Sequence, residues 1–244
     1  MRRVIISLIL SMCIYSSFAQ LDLKYWDWVA YFHFGGGMVY PGSDLKNASS
    51  IGLFAKNGYQ VYGDFNFMII NGLGLGLNIE YDQFFFNKTA FKTSAKPEFM
   101  DVYGNYTSTK FGLNILMNIP IVVNEDKFIV NLYGELNPGL RGFNIPNIDL
   151  YYDENVNKYV EVHYHTRKNT MGYIGYSGGL QMLFSNKWGI NLSYNTLFKT
   201  RHSIKYSVRM FDAFGNLTES ENYLNNYLNH SGWQVGVVLL LGKK

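Results

Sequence analysis

The feature that most constrains this chain is a period of two. In Leu73–Asp82, the residues Leu73, Leu75, Leu77, Ile79 and Tyr81 alternate with Gly74, Gly76, Asn78, Glu80 and Asp82. A β-strand sends successive side chains to opposite faces. The segment therefore has one apolar face and one small or polar face. The pattern recurs at Trp188, Ile190, Leu192, Tyr194 and Phe198 against Gly189, Asn191, Ser193 and Asn195. It recurs at Phe111, Leu113, Ile115, Met117 and Ile119 against Gly112, Asn114, Leu116 and Asn118. Two further segments, Phe128–Leu136 and Trp233–Gly242, repeat it. Alternation sustained this far is a strand signal, and it predicts eight strands near 27–40, 58–70, 73–85, 106–121, 128–141, 170–184, 188–200 and 231–242.

The connections are unequal in an ordered way. Asn71-Gly72 suits a type I′ hairpin, and residues 124–127 and 185–187 make two more short turns. Residues 41–57, 86–105, 142–169 and 201–230 are long connections. Short turns thus alternate with long loops, and both ends of the chain fall on the short-turn side. Within the loops, 148–165 reads as a hairpin turning around Asp153–Asn157, and 203–223 as another turning near Ala213–Asn216. Both are expected to extend the flanking strands as ribbons.

Eight such strands close in one of two ways. A soluble lipocalin-like barrel turns its apolar face inward and would bind an apolar ligand there. A membrane barrel turns it outward to lipid. A water-facing surface is rich in Lys and Glu, whereas the polar face here is mostly Gly, Asn and Ser. Small residues suit the narrow interior of an eight-stranded barrel. Trp188, Trp233, Phe128, Phe184 and Tyr81 lie near strand ends, as aromatic residues do at membrane interfaces. The fold expected is an all-β, eight-stranded, antiparallel up-and-down transmembrane barrel with short periplasmic turns and long extracellular loops.

The N-terminus fits that address. Arg2 and Arg3 precede an apolar run from Val4 to about Tyr15, and Ser17-Phe18-Ala19 ends in small residues. This reads as a secretory signal peptide over 1–19, leaving 20–244 as an outer-membrane barrel. Cys13, the only cysteine, leaves with the signal, so no disulfide is available to the mature chain. Loss of Arg2 and Arg3 leaves 19 Lys+Arg against 18 Asp+Glu, and a balanced charge is no nucleic-acid footprint.

The ending of the signal at "SFAQ", the aromatic- and Asn-rich strands, and the closing "SGWQVGVVLLLG" resemble the small porin-like outer-membrane β-barrels of Bacteroidota. The resemblance covers the mature chain as a pattern. The chain departs from many outer-membrane barrels by ending Leu241-Gly242-Lys243-Lys244 rather than in an aromatic residue.

Several residues are candidates for chemistry. Asp64, Glu80, Asp82 and Glu135 sit on the polar face, with Lys110 and Arg141 as partners. Buried charges must be paired, so these six are expected to form a lumen network that plugs the barrel rather than an ion path. Glu161, His163 and His165 share one face of a loop strand, a spacing that can chelate a metal; the favoured reading is an ordinary polar ribbon, with no metal and no cofactor. The pairs His202-Ser203 and His230-Ser231 raise hydrolase chemistry, but neighbours in a strand point to opposite faces and cannot form a dyad. Gly35-Gly36-Gly37 lacks the Lys-Ser/Thr of a phosphate loop, and inside the first strand it is expected to relieve crowding or to allow a bend. Tyr151, Tyr152, Tyr159, Tyr164, Tyr206, Phe211 and Phe214 form a candidate extracellular contact surface. The function expected is a non-enzymatic envelope role, structural or surface-binding, as a monomer in outer-membrane lipid with a protein or surface ligand held by the loops. A narrow pore and a lipid-modifying enzyme are the alternatives.

Overall fold

The structure, a computed structural model, describes residues 28–47, 53–70, 72–124, 128–153, 158–184 and 187–243. The expected signal segment, the 124–127 turn beyond Asn124, the Asp153–Asn157 turn beyond Asp153 and the C-terminal Lys244 lie outside the described residues. Eight strands form the barrel: β1 (Trp28–Pro41), β2 (Ala55–Ile70), β3 (Leu73–Phe86), β5 (Tyr106–Asn124), β6 (Phe128–Asn144), β9 (Asn169–Phe184), β10 (Trp188–Leu197) and β13 (His230–Lys243). Each pairs antiparallel with its sequence neighbour in this set, and β1 pairs with β13 from Trp28↔Lys243 to Pro41↔His230. The sheet is closed, so the barrel has no free edge. All eight expected strands are present, most of them longer by a few residues at the loop end.

The direction of the alternation decides what surrounds the barrel. Phe32, Phe34, Leu75, Leu77, Leu113, Ile115, Leu132, Ile190, Leu192 and Val235 all face outward and are exposed. Asn66, Asn78, Asn114, Asn131, Asn191 and Ser193 face inward and are buried. An apolar belt of this extent is untenable in water, and hydrocarbon is the solvent it fits. A soluble barrel with leucines lining a cavity is thereby excluded, because the leucines are on the outside. Rings cluster at both ends of the belt. Phe184 and Trp188 meet at the short-turn end with centroids 4.9 Å apart and planes tilted by 40°. Tyr194 and Trp233 meet at 5.1 Å, and Tyr59 and Phe85 at 6.2 Å, towards the loop end.

Two sets of glycines fit this geometry. Gly72 sits at φ +77°, the left-handed conformation that the tight β2–β3 turn requires. Gly35 and Gly37 face the lumen, where an added Cβ would collide with the Val235 and Trp233 carbonyls of β13. Crowding, as the sequence indicates, is what the glycine run relieves.

The long loops do more than extend ribbons. β7 (Asn147–Tyr151), β8 (Tyr159–Thr166), β11 (Arg201–Asp212) and β12 (Leu217–Tyr227) are the strands of the two expected hairpins. With β4 (Phe99–Tyr103) they form one five-stranded sheet in the order β12-β11-β8-β7-β4. The two ribbons join because β8 pairs with β11, with His163 opposite Arg209. The 86–105 connection, expected as a plain loop, holds β4 and helix α2 (Lys88–Ala95). Asn87 caps that helix by accepting a hydrogen bond from the Ala90 N–H, and Lys96 ends it in the left-handed conformation. A single turn of helix, α1 (Ser43–Lys46), tucks Leu45 under the sheet. Three loops thus build the sheet and a fourth contributes to the apolar core beneath it.

The outward face makes a prediction. Leu113 lies midway along β5 and is 57% exposed. Leu113→Arg is expected to lower unfolding free energy in lipid vesicles by about 2–4 kcal/mol, measured by chemical denaturation. A water-facing position would tolerate the change within about 0.5 kcal/mol.

Candidate functional site

The lumen is a polar column between two apolar plugs. At the short-turn end, Leu116, Ile129, Leu183 and Val238 pack together with Tyr31 and Tyr133. At the loop end, Val39, Phe84, Phe86, Tyr106, Phe143, Ile204 and Leu228 belong to the core of the extracellular cap. Between them, side chains bridge the barrel. Tyr62 donates to Asn191 Oδ1 at 3.0 Å, Tyr173 to Asn78 Oδ1 at 3.2 Å, and Asn137 to Asn114 Oδ1 at 2.6 Å. The space left at mid-lumen, lined by Tyr62, Asp64, Glu80, Glu135 and Asn195 among others, is about 20 Å³, room for roughly one water.

The six charged residues expected on the polar face all line the lumen, in two groups. The upper group centres on Lys110, which lies directly opposite Glu80 in the β3–β5 register. Its ammonium is 2.7 Å from Glu80 Oε1 and 3.2 Å from Asp82 Oδ2. His230 Nε2 lies 3.1 Å from the same nitrogen and 3.3 Å from Asp82 Oδ2. Arg141 closes this layer: its Nε donates to Ser108 Oγ at 2.6 Å and its NH1 to the Leu228 carbonyl at 2.6 Å. The guanidinium also stacks 4.9 Å from the Phe143 ring centroid. Asp64 and Glu135 lie lower in the barrel, beside His33, and Ser177 donates to Glu135 Oε2 at 3.1 Å.

Two members of these groups, His33 and His230, stand outside the six expected lumen residues; the sequence singles out His230 only beside Ser231. His33 is nevertheless legible: it alternates with Tyr31, Gly35 and Gly37 on the non-lipid face of β1. His230 precedes the alternation of the last strand and carried no such signal.

The second candidate is the cap. Under the five-stranded sheet lies a cavity of about 330 Å³, lined by Leu53, Phe54, Phe91, Ile148, Leu150, Tyr152, Tyr164, Ile204, Tyr206 and Leu224 among others. That volume is at the lower end of small-molecule pockets, and its lining is predominantly apolar. The expected aromatic contact surface divides here. Tyr152, Tyr159, Tyr164 and Tyr206 pack against the cap core. Tyr151 pairs with Phe99 at 5.8 Å, and Phe211 with His163 at 5.7 Å. Phe214, at the β11–β12 tip and 90% exposed, is the fully solvent-facing member. The tip is held by Asp212, whose Oδ1 accepts from the Phe214 and Asn216 N–H groups. Hydrogen bonds from Asn216 hold its carboxyl below the usual carboxylate range.

Glu161, His163 and His165 do not converge on one point. His163 Nε2 is 3.4 Å from Glu161 Oε2 and its Nδ1 is 2.7 Å from Asp149 Oδ1 on β7, while the His165 ring stacks beside it with centroids 6.2 Å apart. The outer strands carry surface pairs: Lys205 Nζ is 2.8 Å from Glu221, lowering the pKa of that carboxylate and raising that of the lysine. Neither His-Ser pair forms a dyad, and the His230 ring nitrogens face Asp82, Lys110 and Arg141.

The upper lumen group makes a prediction. Removing the ammonium with Lys110→Met leaves Glu80 and Asp82 buried together. It is expected to cost about 3–5 kcal/mol of stability, read by urea denaturation. Adding Glu80→Gln and Asp82→Asn should recover most of the loss. A Lys110→Met protein as stable as the parent would contradict the pairing.

No family model matches the chain, and no curated protein matches it. Solved structures do. OprG, an outer-membrane protein from Pseudomonas aeruginosa, aligns with 11% identity and a TM-score of 0.49, over 88% of this chain and 97% of that one. Neisserial surface protein A aligns with 11% identity and a TM-score of 0.46, over 87% and 97%. Ail, the attachment invasion locus protein of Yersinia pestis, aligns with 11% identity and a TM-score of 0.43, over 88% and 99%. At these identities no residue role passes to this chain, and its fold rests on its own closed register.

Proposed function

We propose that this chain is an outer-membrane β-barrel protein with a non-enzymatic surface role. In this reading the plugged barrel is an anchor, and the extracellular cap is the part that engages something outside the cell. One observation supports it above the others: buried side chains fill the lumen but for about 20 Å³ at mid-height, while the cap holds a cavity of about 330 Å³. An eight-stranded barrel has just enough interior for side chains, so the pore reading would require the Lys110–Arg141 layer to move. Among the described residues, no Ser, Thr or Tyr hydroxyl hydrogen-bonds a histidine ring, as the enzyme reading would need. The strand pattern and the Ser231–Gly242 ending support reading it as one of the porin-like barrels of Bacteroidota, a monomer surrounded by lipid.

The cavity lining favours an apolar moiety, such as a short aliphatic chain or a ring carried by a larger ligand. The test uses protein in lipid nanodiscs titrated with the apolar fluorophore 1-anilinonaphthalene-8-sulfonate, against empty nanodiscs. A saturable component is expected from the parent protein and not from Ile204→Trp, which fills the cavity. Identical signals from the two proteins would contradict the cap reading. Reproducible unitary conductance in a planar bilayer would contradict the anchor reading.

A further inference from the structure

The barrel interior contains the same donor set twice, one histidine and two carboxylates, with opposite charge balance. In the upper set, Glu80, Asp82 and His230 surround the Lys110 ammonium at 2.7, 3.2 and 3.1 Å. That ammonium is the counterion, and it stands where an ion bound by the three would stand. In the lower set, His33 on β1, Asp64 on β2 and Glu135 on β6 bring one ligand atom each to within 4.8 Å of one another. Among the described residues, neither Asp64 nor Glu135 makes an ion pair with Lys or Arg. Two carboxylates held together in the interior of a membrane barrel without a cation are costly.

The topology fixes the lower set. His33 and Asp64 are directly opposed in the β1–β2 register. β6 lies four strands away around the closed sheet, so Glu135 reaches them across the lumen. Gln181 Nε2, 2.8 Å from His33 Nε2, orients the imidazole, and Ser177 holds one Glu135 oxygen. The other oxygen, Glu135 Oε1, is buried without a hydrogen-bond partner. Tyr31, 3% exposed, shares the lumen face of His33, with the two ring centroids 4.8 Å apart. An unsatisfied buried carboxylate oxygen, beside a second acid with no Lys or Arg partner, is what a bound cation would satisfy.

We propose that His33, Asp64 and Glu135 form a binding site for one divalent transition-metal ion inside the barrel. An imidazole and two carboxylates are a ligand set for zinc or a similar ion, with an oxygen ligand in the remaining position. Coordination requires the three donor atoms, now within 4.8 Å of one another, to close to about 2.0–2.2 Å from the ion. Two carboxylates balance the charge of the ion, so the bound lumen is neutral at this level. Gln181 Nε2 donates to His33 Nε2, so a metal on the other ring nitrogen requires the Gln181 amide to turn its oxygen to the imidazole N–H, the acceptor role that fixes metal-bound histidines. The site ties β1 and β2 to the opposite wall through β6, so the ion acts as a cross-brace of the barrel. It lies between the two apolar plugs, and loading belongs to folding rather than to the finished barrel.

The test is to refold the full mature chain in detergent with zinc chloride or with EDTA, desalt, and measure retained metal by mass spectrometry. About one zinc per chain is expected for the parent, together with a higher thermal midpoint than the EDTA-refolded protein. Asp64→Asn with Glu135→Gln keeps the shapes and removes both charges, and should retain no zinc. Glu80→Gln, in the upper set, should retain it. Refolding the parent with cobalt gives a readout independent of any variant, a visible d–d absorption band that EDTA present during refolding abolishes. Parent protein that retains no zinc and shows no cobalt band would overturn the proposal. Equal zinc in the parent and the doubly neutralised protein would overturn it too.

Discussion

Everything in this structure depends on closing β1 onto β13. In hydrocarbon an unpaired backbone N–H or C=O has no water to turn to, and each costs several kcal/mol. A sheet can enter lipid only if its first and last strands find each other. Here they do so along their whole length, from Trp28↔Lys243 to Pro41↔His230. The glycines of β1 permit that approach, since a Cβ at Gly35 or Gly37 would strike the β13 backbone. Closure then fixes the inside and outside of every strand. With lipid outside, the polar face has to be satisfied within a narrow cylinder.

That demand explains the composition of the lumen. Asn, Gln and Ser are small, uncharged and able to donate and accept, so they bridge from wall to wall without a charge to balance. The charges that do occur are concentrated rather than scattered. In the upper layer, Lys110 and Arg141 offset Glu80 and Asp82 and hold the top of the lumen shut beneath the cap. Such a network costs desolvation, and stability alone would be served as well by apolar packing. Its pairings are specific, and they hold neighbouring strands in one register, as Glu80 opposite Lys110 shows. The cap continues the barrel in a different chemistry. Its core is aliphatic and aromatic, its outer strands carry exposed ion pairs, and its sheet is left open at β12 and β4.

The barrel was legible in the sequence because its signal is local and periodic. A strand between lipid and a polar lumen must alternate at every residue, so Leu73–Asp82 declares both its faces without reference to any neighbour. The charged lumen residues were legible for the same reason. Their grouping was not: which acid meets Lys110 depends on register and on strands far apart in the chain, as with Glu135 facing His33 from the opposite wall. His33 was passed over because it sits between Phe32 and Phe34, although its alternation marks it as inward. The cap was half legible. Each hairpin carries its own turn, but the pairing of β8 with β11, and of β4 with β7, joins segments whose contact no local pattern encodes. The helix at Lys88–Ala95 did leave a trace, an Asn87 cap before a helix-compatible run, overridden by the expectation of a bare loop.

A closed barrel with its leucines in lipid is tested by electrophoretic migration of the protein from purified outer membranes, with and without boiling in detergent. A closed, plugged barrel stays folded in the unboiled sample and migrates apart from the boiled one, and the account predicts that shift in the outer-membrane fraction. A protein found in the soluble periplasmic fraction, with one mobility in both samples, would contradict it.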